Sequence, residues 1–129
     1  MASIKGVWIT MSRNLDIRLG FIGAGNMGQA LIRGIVKSGT VLPDRIFVYD
    51  INREQIDLLK KDIGVTPLDS GSEVVRSCDI IVIAVKPNVV EKVLEECKEA
   101  VDSKKVIVSI AVGVPISLFK RVLGDDKKV

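Results

Sequence analysis

The segment with the clearest chemical capacity is a glycine-rich turn early in the chain. It follows the pattern G-x-G-x-x-G and reads Gly23, Ala24, Gly25, Asn26, Met27, Gly28. A short apolar run at residues 19–22 precedes the turn and has the length of a buried parallel strand, and a helical pattern follows it directly. A strand, a glycine turn and a helix in this order are the context in which the motif predicts binding of a dinucleotide.

Each glycine of the turn has a separate physical task. Gly23 permits the tight turn out of the strand, Gly25 lets a pyrophosphate approach the backbone, and Gly28 lets the helix pack against the strand. The start of the helix adds free N–H groups and the positive end of the helix dipole. The alternative interpretation is an ordinary glycine-rich turn in an α/β protein.

An acidic residue stands where a ribose-binding carboxylate is expected. Residues 45–49 form a predicted strand rich in β-forming side chains, and Asp50 follows them directly. Asp50 lies 22 positions after Gly28, close to the spacing of about 20 that accompanies the glycine motif. The motif, its flanking elements and this acid together predict a nucleotide site.

Strands and helices are predicted to alternate along residues 17–129. The strands are 19–22, 45–49, 64–68, 79–85 and 106–111. The helices follow the glycine turn as far as Ser38 and then occupy 53–62, 73–77, 88–100 and 116–123. This order predicts an α/β fold of the Rossmann type, a doubly wound, mainly parallel sheet with helices on both faces. The strand-end segments 23–28, 50–53, 84–87 and 111–113 then converge on one crevice.

Local patterns assign further side chains to the core and to helix ends. The first helix is expected to turn one apolar face inward, formed by Ala30, Leu31, Ile35 and Val36. The helix at 88–100 is expected to bury Val89, Val90, Val93, Leu94 and Cys97. The predicted helix boundaries are Asn52 and Ser72 as N-caps, Pro115 as a first helical residue, and Gly39 and Gly124 as helix ends.

Composition limits the class of protein. The 129 residues are 47% hydrophobic and 27% charged, as in one soluble globular domain. A net charge of +3, without a basic cluster among aromatic residues, argues against a nucleic-acid partner. The absence of His excludes His-based catalysis and His metal ligands, and no metal site is predicted. Two cysteines, Cys78 and Cys97, are interpreted as buried free thiols.

The start of the chain receives no function. Residues 1–16 fit no nucleotide-binding unit, and their apolar group of Val7, Trp8 and Ile9 fits an edge strand or a disordered tail equally well. No apolar run approaches the length of a membrane span, and no signal-peptide core begins the chain. We therefore expect no membrane partner, and the cytoplasm is the default location.

Three segments together resemble pyrroline-5-carboxylate reductase. They are residues 21–31, the Ala-Val-Lys-Pro segment at 84–87 and the Val-Ser-Ile-Ala-Val-Gly-Val segment at 108–114. The glycine fingerprint alone is shared with β-hydroxyacid dehydrogenases, whereas the other two segments are more specific. The resemblance covers residues 17–129 and implies a cofactor-binding domain of an enzyme that reduces 1-pyrroline-5-carboxylate to L-proline with NADH or NADPH, the last step of proline biosynthesis.

The resemblance also implies roles for individual residues. The turn at 23–27 would cradle the pyrophosphate, residues after the second strand would contact the adenosine ribose, and the later segments would line the nicotinamide side. The implied cofactor-binding residues are Ile22, Gly23, Ala24, Gly25, Asn26, Met27, Gly28, Asp50, Asn52, Arg53, Ala84, Val85, Lys86, Pro87, Ala111 and Val112. Pro87 also fits a plain helix start and Lys86 a solvated lysine, and no catalytic residue is assigned within 1–129.

The chain departs from the family pattern in three ways. Members that prefer NADPH often carry an Asn-Arg-like pair after the second strand, where this chain has Asp50 and Ile51. Asp50 would repel a 2′-phosphate and favour NADH, although Arg53 opposes this preference and Asn52 suits either cofactor. Residues 71–72 replace a frequent Asn, which puts one adenine-side contact in doubt. The third departure is that the family's next strand, its Met-Pro-Asn-Thr-Pro segment and its helical domain would all follow Val129.

The expected consequence is a chain that folds and binds nucleotide but forms no proline. The family's homo-oligomer interface and most of its substrate site belong to the helical domain. Two other interpretations stay open: the nucleotide-binding domain of a β-hydroxyacid or prephenate-type dehydrogenase, and a stand-alone nucleotide-sensing domain. Because one fold serves many functions, the fold does not decide among them.

Overall fold

Five short apolar segments form one parallel sheet in the computed structural model, which describes residues 16–129. The strands are β1 (Leu19–Ile22), β2 (Ile46–Tyr49), β3 (Thr66–Pro67), β4 (Ile80–Ile83) and β5 (Val106–Ser109). Their order across the sheet is β3-β2-β1-β4-β5, and every pair is parallel. β1 and β4 lie inside the sheet with helices over both faces, which explains their almost continuous burial.

Helices connect the strands and cover both faces of the sheet. They are α1 (Asn26–Ser38), α2 (Arg53–Ile63), α3 (Gly71–Ser77), α4 (Pro87–Cys97) and α5 (Ile116–Leu123). Ile32 of α1 and Ile56 of α2 belong to the apolar core on one face. Val74 of α3, Leu94 of α4 and Phe119 of α5 belong to the core on the other. The structure therefore confirms the doubly wound, Rossmann-type fold.

The order of the strands fixes where a ligand can bind. From β1 the chain adds β2 and β3 on one side, and it then returns to place β4 on the other side of β1. The connections leaving β1 and β4 therefore diverge to opposite faces and open a crevice at the carboxyl ends of these strands. The glycine turn follows β1 directly and so lies at this crevice.

The strands are shorter than the sequence predicts. β4 ends at Ile83 rather than 85, β5 ends at Ser109 rather than 111, and β3 contains two residues instead of 64–68. β1 turns out of the sheet at Gly23, where φ is +106°. β4 therefore loses its pairing with β1 beyond Ile83. The predicted third strand starts too early at Gly64. This residue ends α2 instead, and its N–H donates to the Lys60 carbonyl at 2.9 Å.

The predicted inner face of α1 is wrong for two residues. Ala30 and Leu31 are exposed, whereas Gly28 and Ile32 are buried. Ile35 and Val36 are half-buried, as their place in the predicted face requires. The close approach of Gly28 to the glycine turn sets the rotation of α1, so the position one turn later, Ile32, faces the sheet.

The helix boundaries are partly as predicted. Ser70, not Ser72, caps α3, because its Oγ accepts a hydrogen bond from the Glu73 N–H at 3.1 Å. Ser72 Oγ donates instead to the Glu96 carbonyl at 3.0 Å. Asn52 occupies the N-cap position of α2 without a side-chain hydrogen bond to the helix.

Two predicted helix ends are confirmed, since Gly39 and Gly124 end their helices. Pro115 is the N-cap residue of α5 rather than, as predicted, its first helical residue. The inner face of α4 is confirmed at its four fully buried positions, and Val89 is half-buried. Both cysteines are buried and free.

Two predictions about the ends of the chain and the membrane can be compared with the described residues only in part. The apolar group at residues 7–9 lies outside the described residues. Within residues 16–129, no helix combines the length and apolar character that a membrane span needs.

The second strand begins one residue later than predicted, at Ile46. Arg45 belongs to a 3-10 helix before β2, and its guanidinium pairs with Asp16 at 2.5 Å.

Two glycines should respond oppositely to the same substitution. A Cβ at Gly20 in β1 would lie 2.4 Å from Val74 Cγ1 and 2.8 Å from Cys78 Sγ, so Gly20→Ala forces α3 away from the sheet. We expect a loss of about 1–3 kcal/mol in the free energy of unfolding. A Cβ at Gly34 in α1 meets nothing within 4 Å, so Gly34→Ala should add about 0.5–1 kcal/mol.

Urea unfolding of the wild type and both variants measures this difference. Equal effects of the two substitutions, or a stabilising Gly20→Ala, would contradict the close packing of α3 on β1.

Candidate dinucleotide site

The turn after β1 is built on two close approaches that only glycine permits. Gly23 has φ +106°, and a Cβ there would lie 2.6 Å from the carbonyl carbon and oxygen of Ala84. A Cβ on Gly28 would lie 2.8 Å from the Gly23 carbonyl oxygen. The predicted tasks of these two glycines in the turn and in helix packing are therefore confirmed.

Gly25 leaves open space at the start of α1. It is the N-cap residue, and a Cβ at this position would meet no atom within 4 Å. The first turn of α1 contains no acidic residue, and Gly25 offers no side-chain cap to its N–H groups. Unpaired N–H groups and the positive helix end favour an anion in this space, so the residues present fit the pyrophosphate of a dinucleotide.

Asp50 connects the end of β2 to the glycine turn. Its Oδ2 accepts a hydrogen bond from the Ala24 N–H at 2.6 Å, and its Oδ1 accepts one from the Asn52 N–H at 2.8 Å. Each carboxylate oxygen keeps a further lone pair, so Asp50 can still accept from ribose hydroxyls. The spacing rule predicted this acid, but nothing local to Asp50 predicts its bond to Ala24.

Arg53 forms its contacts at the carboxyl end of β3. Its Nη1 lies 3.0 Å from Asp69 Oδ1 and 3.3 Å from the Leu68 carbonyl oxygen, at the carboxyl end of β3. Neither Arg53 nor Asn52 lines the two clefts described below. The side chain of Ala24 is fully buried, so its contribution at the surface is its backbone.

A first cleft of about 160 Å³ lies between the end of β2 and the face of α4. Its lining residues are Ile22, Gly23, Tyr49, Asp50, Ile51, Val85, Val89, Lys92, Val93 and Glu96. The prediction missed the whole α4 contribution. The signal was present as the stripe 89, 92, 93, 96, whose helical spacing places these side chains on one face.

A second cleft of about 290 Å³ lies on the other side of Val85. Its lining residues are Gly25, Asn26, Met27, Ala84, Val85, Lys86, Pro87, Ile110, Ala111 and Val112. Three predicted segments, 25–27, 84–87 and 111–112, therefore meet here. Val85 lines both clefts, so one crevice follows the carboxyl edge of the sheet.

The second cleft offers little acid–base chemistry. Lys86 is the one ionisable side chain among the residues lining it, and Lys86 is exposed at the N-cap of α4. The two cysteines line neither cleft, and burial raises the pKa of Cys78 to about 12 and raises the pKa of Cys97, so both thiols stay protonated. Within residues 16–129 no group of three or more His, Cys, Asp or Glu could hold a metal ion.

The arrangement suits an extended ligand with an anionic centre. A ribose can reach Asp50 in the first cleft, a pyrophosphate can approach Gly25, and a flat apolar ring can enter the second cleft. Fold and site together define a dinucleotide-binding domain of an oxidoreductase. Residues 18–113 match the family described as NADP oxidoreductase coenzyme F420-dependent, and the chain belongs to this family.

Several of the chain's relatives are pyrroline-5-carboxylate reductases. The chain is 39% identical over 115 residues to the pyrroline-5-carboxylate reductase of Escherichia coli (strain K12), covering 89% of this chain and 43% of that protein. The reductase of Coxiella burnetii superposes with a TM-score of 0.82 at 31% identity, over 88% of this chain and 42% of its own. The NADP-bound pyrroline carboxylate reductase of Plasmodium falciparum superposes with a TM-score of 0.77 at 33% identity. The match covers 88% of this chain and 40% of that chain.

The comparisons confirm the predicted resemblance to the N-terminal part of pyrroline-5-carboxylate reductase. The chain spans about two fifths of the length of the curated relatives it matches. NADH or NADPH is the cofactor of this class of domain, whereas the residue-by-residue contacts given in the sequence analysis stay predictions.

Gly25→Val should separate folding from binding. Because a Cβ at Gly25 meets no protein atom, we expect the free energy of unfolding to fall by no more than about 1 kcal/mol, the cost of replacing a glycine N-cap by valine. The side chain would fill the space for the pyrophosphate, so NADH binding should weaken by at least about 100-fold through lost charge-assisted hydrogen bonds. Calorimetric titration and urea unfolding measure the two quantities.

Gly34→Val is the matched control, because it adds the same side chain to α1 where a Cβ also meets nothing within 4 Å. It should leave NADH affinity unchanged. Full NADH affinity in Gly25→Val would mean that the pyrophosphate binds elsewhere.

Proposed function

We propose that this chain is the cofactor-binding part of an enzyme that reduces 1-pyrroline-5-carboxylate to L-proline with NADH or NADPH. The observation that carries the proposal is the meeting of the glycine turn with residues 84–87 and 111–112 in one cleft. These are the segments that carry the resemblance to the reductase. Identity of 39% over 115 residues to the Escherichia coli enzyme supports the same substrate class.

The residues of the chain hold and orient the cofactor. Gly25 and the N-terminus of α1 receive the pyrophosphate, and Asp50 receives a ribose hydroxyl while its hydrogen bond to the Ala24 N–H keeps the turn in place. Ala84, Ala111 and Val112 offer an apolar wall to the nicotinamide. When bound, the cofactor supplies the hydride that reduces the imine carbon.

The chain's own contribution to this reaction is placement. Positioning two reactants converts a bimolecular step into an effectively unimolecular one and supplies a large part of the rate enhancement. Among the residues lining the second cleft, Lys86 alone carries an ionisable group, and its side chain is exposed at the start of α4. We therefore assign the proton donor and the substrate contacts to parts of the enzyme outside this chain.

Asp50 favours NADH over NADPH. Its carboxylate is fixed by two backbone N–H groups at the ribose position, where a 2′-phosphate would meet like charge. Arg53, the residue expected to oppose this preference, is engaged by Asp69. The relatives give no single answer, since the structures include an NADP-bound reductase and an imine reductase with NAD+ at 26% identity.

The wider setting of the enzyme follows from the same reasoning. Two buried free thiols suit a reducing compartment, so we place the protein in the cytoplasm. No nucleic-acid partner is proposed. The reductase's homo-oligomer interface is assigned to the part of the relatives that this chain does not cover.

Binding without turnover is the expected behaviour of the 129-residue protein. Calorimetric titration should give saturable binding of NADH and weaker binding of NADPH, both lost in Gly25→Val. Incubation with 1-pyrroline-5-carboxylate and either cofactor should form no proline above a protein-free control, measured by chromatography.

The two parts of this prediction fail independently. Absence of binding by both cofactors would contradict the proposed cofactor site. Proline formation by the pure chain would contradict the assignment of the substrate site to the remainder of the enzyme.

A further inference from the structure

We propose that Lys92 is the residue that receives the 2′-phosphate of NADPH in this chain. Lys92 lies on α4, away from the loop after β2 where sequence reasoning had placed this role through Arg53. The inference rests on the proposed function, because it names a specificity residue of the same cofactor site.

Lys92 shares the first cleft with Asp50. Both residues line it, Lys92 from α4 and Asp50 from the end of β2. Val89 and Glu96, one turn before and one turn after Lys92, line the same cleft, so helical geometry directs all three side chains to it. Lys92 is exposed and forms no ion pair with any of the described residues. Its ammonium is therefore available to an incoming anion.

The other basic side chains near the crevice are less suitable. Arg53 is held by Asp69 and the Leu68 carbonyl and lines neither cleft. Lys86 lines the second cleft, on the far side of Val85 from the ribose position. Among the residues lining the first cleft, Lys92 is the one cation, beside the carboxylates of Asp50 and Glu96.

The charges of the first cleft favour NADH over NADPH without excluding NADPH. The backbone bonds of Asp50 to Ala24 and Asn52 fix one negative charge where the ribose binds. A phosphate monoester carries about −1.5 to −2 charges at neutral pH, so it is repelled by Asp50 and attracted by Lys92. NADPH therefore retains some affinity. Removal of the Asp50 charge should raise the affinity for the 2′-phosphate, and removal of the Lys92 charge should lower it.

Two nucleotide fragments isolate this contact from the rest of the cofactor. 5′-AMP and 2′,5′-ADP share the adenosine and its 5′-phosphate and differ by the 2′-phosphate alone, and calorimetry on the 129-residue chain measures both. In Lys92→Met we expect affinity for 2′,5′-ADP to fall about 10-fold, the size of a charge-assisted hydrogen bond. Affinity for 5′-AMP should change by less than twofold, and the 2′,5′-ADP effect should shrink at high salt.

Lys98→Met is the matched control. It removes the same charge from the chain, but Lys98 pairs with Glu95 and does not line the cleft. It should leave the ratio of the two affinities unchanged. If Lys98→Met lowered the affinity for 2′,5′-ADP as much as Lys92→Met does, the net charge of the chain would explain the effect. That result would overturn the proposal.

Asp50→Asn supplies a second test in case the wild type binds 2′,5′-ADP weakly. Asn keeps a side-chain oxygen for the Ala24 N–H but removes the charge, so affinity for 2′,5′-ADP should rise. Adding Lys92→Met to Asp50→Asn should cancel that gain. A gain that survives Lys92→Met but is lost with Arg53→Met would return the role to Arg53 and overturn the proposal.

The outcomes also distinguish this inference from the proposed function. Failure of the wild type to bind 5′-AMP and NADH would contradict the cofactor site itself. Binding of both, with an unchanged ratio of the 2′,5′-ADP and 5′-AMP affinities in Lys92→Met, would leave the cofactor site intact and contradict the role of Lys92 alone.

Discussion

The site depends on the close approach of the glycine turn to the backbone after β4. A Cβ on Gly23 would lie 2.6 Å from the Ala84 carbonyl, and a Cβ on Gly28 would lie 2.8 Å from the Gly23 carbonyl oxygen. These contacts bring the start of α1 and the start of the β4–α4 connection to adjacent positions on the sheet edge. A side chain at either glycine would push them apart, and the N–H groups of α1 would no longer adjoin the second cleft.

Short-range patterns in the sequence were sufficient for the fold, because burial on both faces of a parallel sheet leaves continuous apolar runs. The tasks of Gly23 and Gly28 were also predictable, since the motif is local and its neighbours are a strand and a helix. The inner face of α1 was not, because Ala30 and Leu31 suit a buried face as well as Ile32 does. The choice between them depends on the contact of Gly28 with the turn, which periodicity does not register.

The candidate site shows the same division between local and distant information. Spacing alone found Asp50, but its bond to Ala24 joins residues 26 positions apart. Arg53 was expected at the ribose because it follows Asp50 closely, yet Asp69, 16 positions later, engages it. Lys92 was missed for the opposite reason: a lysine on an amphipathic helix is normally solvated, and only the strand order places this one opposite Asp50.

The two clefts differ in the charge of their lining residues. The first contains the fixed carboxylate of Asp50 with Lys92 and Glu96, so it can discriminate between charged ligands. The second is mostly apolar, which suits a flat ring and a reaction that gains from exclusion of water. In the described chain, however, Met27 is 60% exposed and Val112 is 78% exposed at its rim. An apolar rim this open can hold a ring without excluding water from it, so the proposed function calls for a further protein surface over Met27 and Val112.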